Sequence, residues 1–173
     1  MRNAILFVPI IALFGCGEAP PSAEQAPTSA DSSKTMISVD LAEQQMPLFV
    51  EVGDAATLGT ATPSVMWNEV MGRVELQAGE HFAITVMEEE ADLARVKAGF
   101  DHDMLQKHTI IEETPDKLVY RSEFPDDAIV FIHFYQVVRA GARTFVVQDN
   151  PNMRFTEADV ARMAKAVRAE PSV

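Results

Sequence analysis

The chain has 173 residues and a formal net charge of −12 at pH 7, from 14 basic and 26 acidic residues. This length is typical of one domain with a short appendage. A hydrophobic content of 47% excludes a wholly disordered protein. The acidic charge argues against nucleic-acid binding, which needs a basic surface, and against charge-driven adhesion to anionic lipid. The single cysteine excludes an intramolecular disulfide and a zinc site built from several cysteines.

The first fifteen residues have the pattern of a secretory signal. Arg2 supplies a positive start, and an apolar run follows from Ala4 to Phe14. This run is too short to cross a bilayer, which needs about 20 helical residues, and Pro9 interrupts it. We therefore predict a signal peptide over residues 1–15.

The predicted signal ends directly before the only cysteine of the chain, Cys16. The sequence Leu13–Cys16 resembles the lipobox of bacterial lipoproteins, with Phe14 where a small residue is usual. The resemblance implies that the Cys16 sulfur carries a diacylglycerol that anchors the chain in a membrane. Gly17 follows in place of the aspartate that retains lipoproteins at the inner membrane. An outer-membrane lipoprotein facing the periplasm is therefore implied, if the cell has two membranes. The alternatives are an uncleaved anchor and an ordinary secreted protein with a chance cysteine.

A polar segment separates Cys16 from the rest of the chain. Residues 17–35 are mostly Pro, Ala, Ser, Thr and acid, with no aromatic and no large aliphatic side chain. Such a composition cannot bury enough apolar surface to offset the entropy of ordering. We therefore predict a lipidated cysteine and a disordered tether over residues 16–35, and a globular domain over residues 36–173.

Apolar and alternating runs in the globular part predict three strands, a helix, four strands and a second helix. The strands are expected at Leu48–Val52, Val65–Gln77, Phe82–Met87, Thr109–Glu112, Lys117–Phe124, Ile129–Arg139 and Arg143–Asp149. Gly72 marks a bulge or break within the second of them. Short turns between neighbouring strands favour an antiparallel arrangement. The predicted fold is a single α+β domain, with a mostly antiparallel sheet of about six to seven strands sandwiched by two main helices.

The two helices are indicated by apolar stripes and end signals. The first opens on Glu88–Glu90, where carboxylates complement the helix dipole. Its stripe is Leu93, Val96, Phe100 and Met104. The second begins at Thr156, with Asp159 at the reciprocal position of a capping box. Its buried stripe is Val160, Met163, Ala164 and Val167, and Pro171 ends it.

Several of these segments together resemble a known fold group. They are Gly79–Ile84, the helix containing Asp92–Lys97, the strand with His133–Tyr135 and its Gly141 turn, and the capped last helix. In this combination they resemble small bacterial lipoproteins of the PsbP-like and DcrB-like fold group, over about Val65 to Ala169. The resemblance implies an antiparallel sheet between helices and an accessory or assembly role instead of catalysis. The group shares no active site, so the resemblance implies no functional residue.

The strongest candidate for a polar site lies on the central strands. If the turns at residues 124–129 and 139–143 close as hairpins, Tyr120 lies opposite His133, and His133 lies opposite Asp149. An aspartate beside a histidine raises its basicity and fixes its tautomer. The row is then a general base or a ligand-binding group. The alternative is a core histidine whose hydrogen bonds are satisfied by its neighbours. No Ser or Cys nucleophile is placed beside the row by the pattern.

The remaining histidines do not predict a metal site. His81, His102 and His108 are available, with Asp101 and Asp103 beside His102. The spacing between His102 and His108 does not put them on one helical face, and no HExxH or calcium-loop pattern is present. We predict no metal and no other cofactor.

A candidate partner surface lies near the start of the globular part, at Met66, Trp67 and Met71. Trp and Met are enriched at interfaces, but they are also ordinary core residues, and the core interpretation is preferred.

The sequence therefore predicts a lipid-anchored accessory protein of the cell envelope that is not an enzyme. It is expected to bind a membrane through Cys16 and a protein or small ligand through its domain, with no nucleic-acid and no disulfide partner. The absence of a phosphate-binding loop or nucleophile motif supports this prediction. The alternatives are a small hydrolase or isomerase using a site centred on His133, and a purely structural envelope protein.

Overall fold

Two antiparallel sheets and three helices make up residues 35–169, the part of the chain that the computed structural model describes. The strands are β1 (Met36–Asp40), β2 (Leu48–Asp54), β3 (Ser64–Asn68), β4 (Arg73–Gln77), β5 (Ala83–Glu88), β6 (Lys107–Thr114), β7 (Lys117–Glu123), β8 (Val130–Ala140), β9 (Arg143–Asp149) and β10 (Val167–Ala169). The helices are α1 (Ala55–Leu58), α2 (Leu93–His102) and α3 (Glu157–Met163), and a 3₁₀ turn spans Ala42–Gln44. The predicted signal peptide, Cys16 and the tether up to residue 34 lie outside the described residues.

The larger sheet has seven strands in the order β3-β4-β5-β9-β8-β7-β6, and the smaller has the order β1-β2-β10. Every neighbouring pair in both sheets is antiparallel. This confirms the α+β class and the mostly antiparallel arrangement. None of the helices between residues 35 and 169 is long and apolar enough to cross a membrane.

The main core lies on one face of the seven-stranded sheet. Val74, Phe134 and Phe145 of this sheet are fully buried in one cluster with Val50 of β2 and Met163 of α3. The small sheet and α3 therefore cover this face together. Each buried side chain of this size contributes about 1.5–3 kcal/mol relative to an exposed one, so this contact dominates the stability of the domain.

The opposite face of the large sheet is covered only in part. Leu93, Val96 and Phe100 of α2 pack on a smaller cluster that includes Tyr135 and Val137 of β8. Because side chains alternate along a strand, residues 131 and 133 of β8 share this face with residues 135 and 137. The uncovered part of this face is where the candidate polar site lies.

The prediction that two main helices sandwich the sheet is therefore only partly met. Helix α2 lies on one face, but a second sheet shares the other face with α3. The strands β1 and β10 were not predicted. The last helix ends at Met163 instead of continuing past Val167, because the chain turns there and β10 pairs with β2. The first long helix begins after its N-cap Asp92, since Glu88 still belongs to β5.

Other predicted local features are found in the structure. The capping box is present, with the Thr156 side chain accepting from the Asp159 N–H and the Asp159 side chain accepting from the Thr156 N–H. The break predicted at Gly72 is a turn in which this residue has a φ of +61°, so Val65–Gln77 forms the hairpin of β3 and β4. Met104, predicted in the stripe of the first helix, lies beyond its end and is exposed.

Candidate functional site

Tyr120 and His133 lie opposite each other on β7 and β8, as predicted. Their ring centroids are 5.3 Å apart, with an interplanar angle of 40°. The register follows from the turn between the two strands, in which Glu123 pairs with Val130. The sequence prediction of this pair is therefore confirmed.

Asp149 also reaches His133, but not through the predicted register. The turn between β8 and β9 closes on Ala140 and Arg143, one residue away from the predicted position, so Gln148 lies opposite Tyr135. The prediction that Asp149 lies directly opposite His133 is wrong. The carboxylate nevertheless lies 2.7 Å from His133 Nδ1 through Oδ2. Its Oδ1 accepts the Phe134 N–H at 2.9 Å, where a backbone carbonyl of β9 would otherwise accept.

The electrostatics of this pair favour one arrangement of protons. The Asp149 side chain is 3% exposed and the His133 side chain 18% exposed. A carboxylate only accepts hydrogen bonds, so a neutral His133 donates from Nδ1 and keeps a lone pair on Nε2. Among residues 35–169, Nε2 has no hydrogen-bond partner. Burial and the charge of Asp149 raise the pKa of the Tyr120 hydroxyl, which keeps this group protonated and able to donate.

A cleft of about 330 Å³ opens beside these three residues. Its apolar lining includes Phe124 and Phe131, and its polar lining includes the amides of Gln106 and Gln148. The Phe131 ring is nearly parallel to the His133 ring, at 3° and 6.1 Å between centroids. The cleft combines aromatic surface with a free imidazole nitrogen and amide groups. It is therefore able to hold a small neutral ligand that has an apolar face and hydrogen-bonding groups.

A second histidine–aspartate pair lies on the other side of Tyr120, and the sequence did not predict it as a pair. His108 Nε2 is 2.9 Å from Asp103 Oδ2, and His108 Nδ1 is 2.9 Å from Ser122 Oγ. The His108 ring also stacks on Phe100 at 4.5 Å. The sequence signal for this pair is Asp103 at the end of α2. Its carboxylate accepts from the N–H groups of Leu105 and Gln106 in the short loop before β6, which brings it close to His108.

The other polar candidates are dispersed. His81 lies 3.4 Å from Asp159 on the surface, and His102 ends α2 as an exposed residue. Within residues 35–169, no three His, Cys, Asp or Glu side chains lie close enough together to hold a metal ion.

The predicted partner residues are exposed, so the preferred core interpretation is wrong. Met66, Trp67 and Met71 are each more than half exposed, and Val70 between them is 94% exposed. We call these four residues the β3–β4 patch. A second cleft, of about 360 Å³, lies between Trp67 and residues 43–45. Val70 was missed because a single valine in a turn has no periodic pattern.

Comparison with known proteins assigns no family to the chain. No family model, no curated protein and no solved structure matches it. Its function is therefore inferred from the residues themselves.

Proposed function

We propose that this chain is a lipid-anchored protein of the cell envelope whose folded domain binds a protein partner and does no chemistry of its own. The observation that supports the proposal is the β3–β4 patch, four large apolar side chains exposed at one end of an edge strand. Met66 and Trp67 point to opposite faces of β3, and Val70 and Met71 lie in the turn that follows, so the exposed apolar side chains surround this end of the strand. Clusters of exposed apolar side chains mark interaction sites. Trp and Met are also among the residues enriched in interfaces.

The envelope location depends on sequence features outside the described residues. Cys16 with its lipobox supports the lipid anchor. The composition of residues 17–35 supports a tether long enough to separate the folded domain from the membrane. The resemblance to the PsbP-like and DcrB-like group, including a sheet between helices, remains a prediction that favours an accessory role.

The backbone beneath the patch is held in place before any partner binds. Glu75 accepts hydrogen bonds from Arg73 and Asn68 at 2.8 and 2.9 Å, and these bonds hold the pKa of the Glu75 carboxyl below its usual range. The Asn68 side chain in turn accepts the Met71 N–H at 3.1 Å. An ordered turn loses less entropy on binding, which favours affinity. As an edge strand, β3 can also accept a strand from a partner.

The proposal is tested by photocrosslinking in intact cells. A photoreactive residue replaces Trp67 in the full-length protein, and a matched control replaces Ile111, which is exposed on the opposite edge strand β6 of the same sheet. We expect one discrete crosslinked protein from position 67 and none from position 111. The crosslink should disappear when Val70→Glu is added, and should weaken in Cys16→Ala. Equal crosslinking from positions 67 and 111, or none from either, contradicts the proposal.

A second candidate function is a small hydrolase or isomerase, favoured by the 2.7 Å contact between His133 Nδ1 and Asp149. With Nδ1 occupied, Nε2 is available as a general base beside the cleft. In this function a water molecule is the nucleophile. It predicts that a panel of nitrophenyl esters is hydrolysed by the full-length protein, and that His133→Gln abolishes the hydrolysis while the protein stays folded. No turnover above buffer, or turnover unchanged by His133→Gln, rejects the hydrolase.

A further inference from the structure

A second group of exposed apolar side chains lies on the loops next to the cleft, and one of its members, Phe124, also lines the cleft. Met104 and Leu105 are 95% and 73% exposed, and Phe124 and Ile129 are each more than a third exposed. We call these four residues the cleft rim. They lie on two adjacent loops. One loop leads from α2 into β6 at Lys107, the other joins β7 to β8, and Glu123 at the end of β7 pairs with both Lys107 and Val130. The rim is therefore one surface at one end of the large sheet.

The chain enters the folded domain at this same end. Ile37 of β1 pairs with Gly53, and a Cβ atom at position 53 would lie 3.6 Å from Arg162 Nη1, so this end of β1 is close to Arg162. Arg162 donates to the backbone carbonyl of His81, and His81 lines a surface depression together with Val130 at the start of β8. This series of contacts connects the first strand to the end of the sheet that carries the rim.

The β3–β4 patch lies at the other end. Strand β3 begins at Ser64, which pairs with Gln77 at the rim end, and it runs away from there to Asn68. At that far end Arg143, in the turn between β8 and β9, donates to the carbonyl of Gln45, beside Trp67. The cleft rim and the β3–β4 patch therefore lie at opposite strand ends of the large sheet, on strands that are far apart in its order.

We propose that the cleft rim rests on the lipid surface in which Cys16 is anchored, leaving the β3–β4 patch to face a partner. This inference rests on the lipid anchor of the proposed function. The predicted tether of residues 17–35 has a random-coil reach of about 25 Å, and it joins the domain at the rim end. Because the tether keeps the domain close to the bilayer, the effective concentration of the rim at the lipid surface is high, and weak contacts are enough to hold it there. Large apolar side chains at loop tips gain free energy when they enter the interfacial region.

The charge around the rim specifies the kind of lipid. Asp126 and Asp127 lie in the loop between Phe124 and Ile129, and Asp103 directly precedes Met104. Carboxylates are repelled by an anionic surface. The rim is therefore suited to a bilayer of zwitterionic lipid, and anionic lipid should weaken the contact in a salt-dependent way.

The test uses the full-length lipidated protein in phosphatidylcholine vesicles that contain nitroxide-labelled acyl chains. A cysteine is introduced by Leu105→Cys, or by Val70→Cys as the matched control on the other surface, and is labelled with an environment-sensitive fluorophore. The Cys16 sulfur carries the lipid, so each protein has one reactive thiol. We expect quenching of the label at position 105 to be at least about threefold stronger than at position 70, as for a side chain at interfacial depth. The quenching should fall when phosphatidylglycerol replaces part of the phosphatidylcholine.

Flotation of the vesicles separates the two ways in which the inference can fail. If the protein does not float with the vesicles, the anchor of the proposed function is wrong, and the inference falls with it. If the protein floats but position 105 is quenched no more than position 70, the anchor stands and the membrane-facing rim is refuted. In the label series at Ile129→Cys, addition of Met104→Glu should reduce the quenching, whereas addition of Val70→Glu should not. Equal effects of these two substitutions also refute the inference.

Discussion

Two histidine–aspartate pairs flank Tyr120, and they differ in what they leave available. His108 has both ring nitrogens bonded, to Asp103 and Ser122, and its side chain is 8% exposed. His133 has one nitrogen bonded, to Asp149, and the other has no partner among the described residues. The presence of an aspartate therefore does not identify a functional histidine. The difference lies in the second nitrogen, which is bonded in His108 and faces a cleft in His133, so His133 is the candidate for ligand binding.

The two aspartates of these pairs differ in burial. Asp149 is buried and accepts from the backbone of Phe134 as well as from His133. Asp103 is partly exposed and accepts from the N–H groups of Leu105 and Gln106 at the end of α2. His133, which has a free ring nitrogen, is therefore bonded to a buried carboxylate. His108, whose two ring nitrogens are both bonded, is paired with a partly exposed one. Substitution of each member separates these roles.

The largest expected effect is that of Asp149→Ala. It removes a buried acceptor from both His133 and the Phe134 N–H, so we expect a loss of about 3 kcal/mol in the free energy of unfolding. The matched variant is Asp103→Ala, which exposes its donors to water and should cost clearly less. Urea denaturation of the two variants and the wild type measures the difference. Equal losses would remove the distinction between the buried and the exposed acid.

The next effect distinguishes the two histidines. His108→Gln breaks the stacking on Phe100 and leaves buried Ser122 without one partner, so we expect it to cost about 2 kcal/mol. In His133→Gln the amide can still donate to Asp149, so the cost should stay under about 1 kcal/mol. Thermal unfolding followed by circular dichroism measures both. A larger loss for His133→Gln would show that His133 is the structural residue.

The third effect concerns pH, and it tests which aspartate acts on Tyr120. Burial and then the charge of Asp149 raise the pKa of Tyr120. Its folded pKa therefore lies above the unfolded value of about 10, so the stability that it contributes is present below pH 10 and is lost as the pH rises further. The chain has two tyrosines, so in Tyr135→Phe the tyrosinate absorbance reports Tyr120 alone. We expect Asp149→Asn to lower the titration midpoint in that background and Asp103→Asn to leave it unchanged. The same change from both substitutions would contradict this assignment.

Most of what the sequence predicted depends on local pattern. The pairing of Tyr120 with His133 follows from alternation on both sides of one short turn. The capping box at Thr156 needs only residues three positions apart. In such cases the residues that determine the structure are neighbours in the chain, so a single sequence contains the information.

The sequence predictions that were wrong or missing depend either on the length of a turn or on contacts between distant parts of the chain. The register of Asp149 was missed because the next turn is a two-residue loop in which Gly141 has a φ of +61°. A one-residue difference moves every side chain of a strand relative to its partner, and only the reach of the carboxylate preserved the contact. Strand β1 was missed because its five residues are mostly exposed and carry no apolar alternation. Strand β10 was missed because it has three residues and its partner β2 lies far away in the chain. The exposure of Trp67 depends on what the other elements leave uncovered, which no local pattern determines.

The smallest expected effect concerns the stability that the Asp103–His108 pair contributes at low pH. The hydrogen bond from His108, followed by those from the N–H groups of Leu105 and Gln106, holds the pKa of Asp103 below its usual range. A depressed folded pKa gives stability that is present above the unfolded value of about 3.9 and is lost as the pH falls through the folded value. We therefore expect Asp103→Asn to be less stable than the wild type at pH 6, and this difference to shrink as the pH approaches 3. Urea denaturation at a series of pH values measures it. A difference that stays constant over this range would mean that the Asp103 charge contributes nothing, and that His108 is held by Ser122 and Phe100 alone.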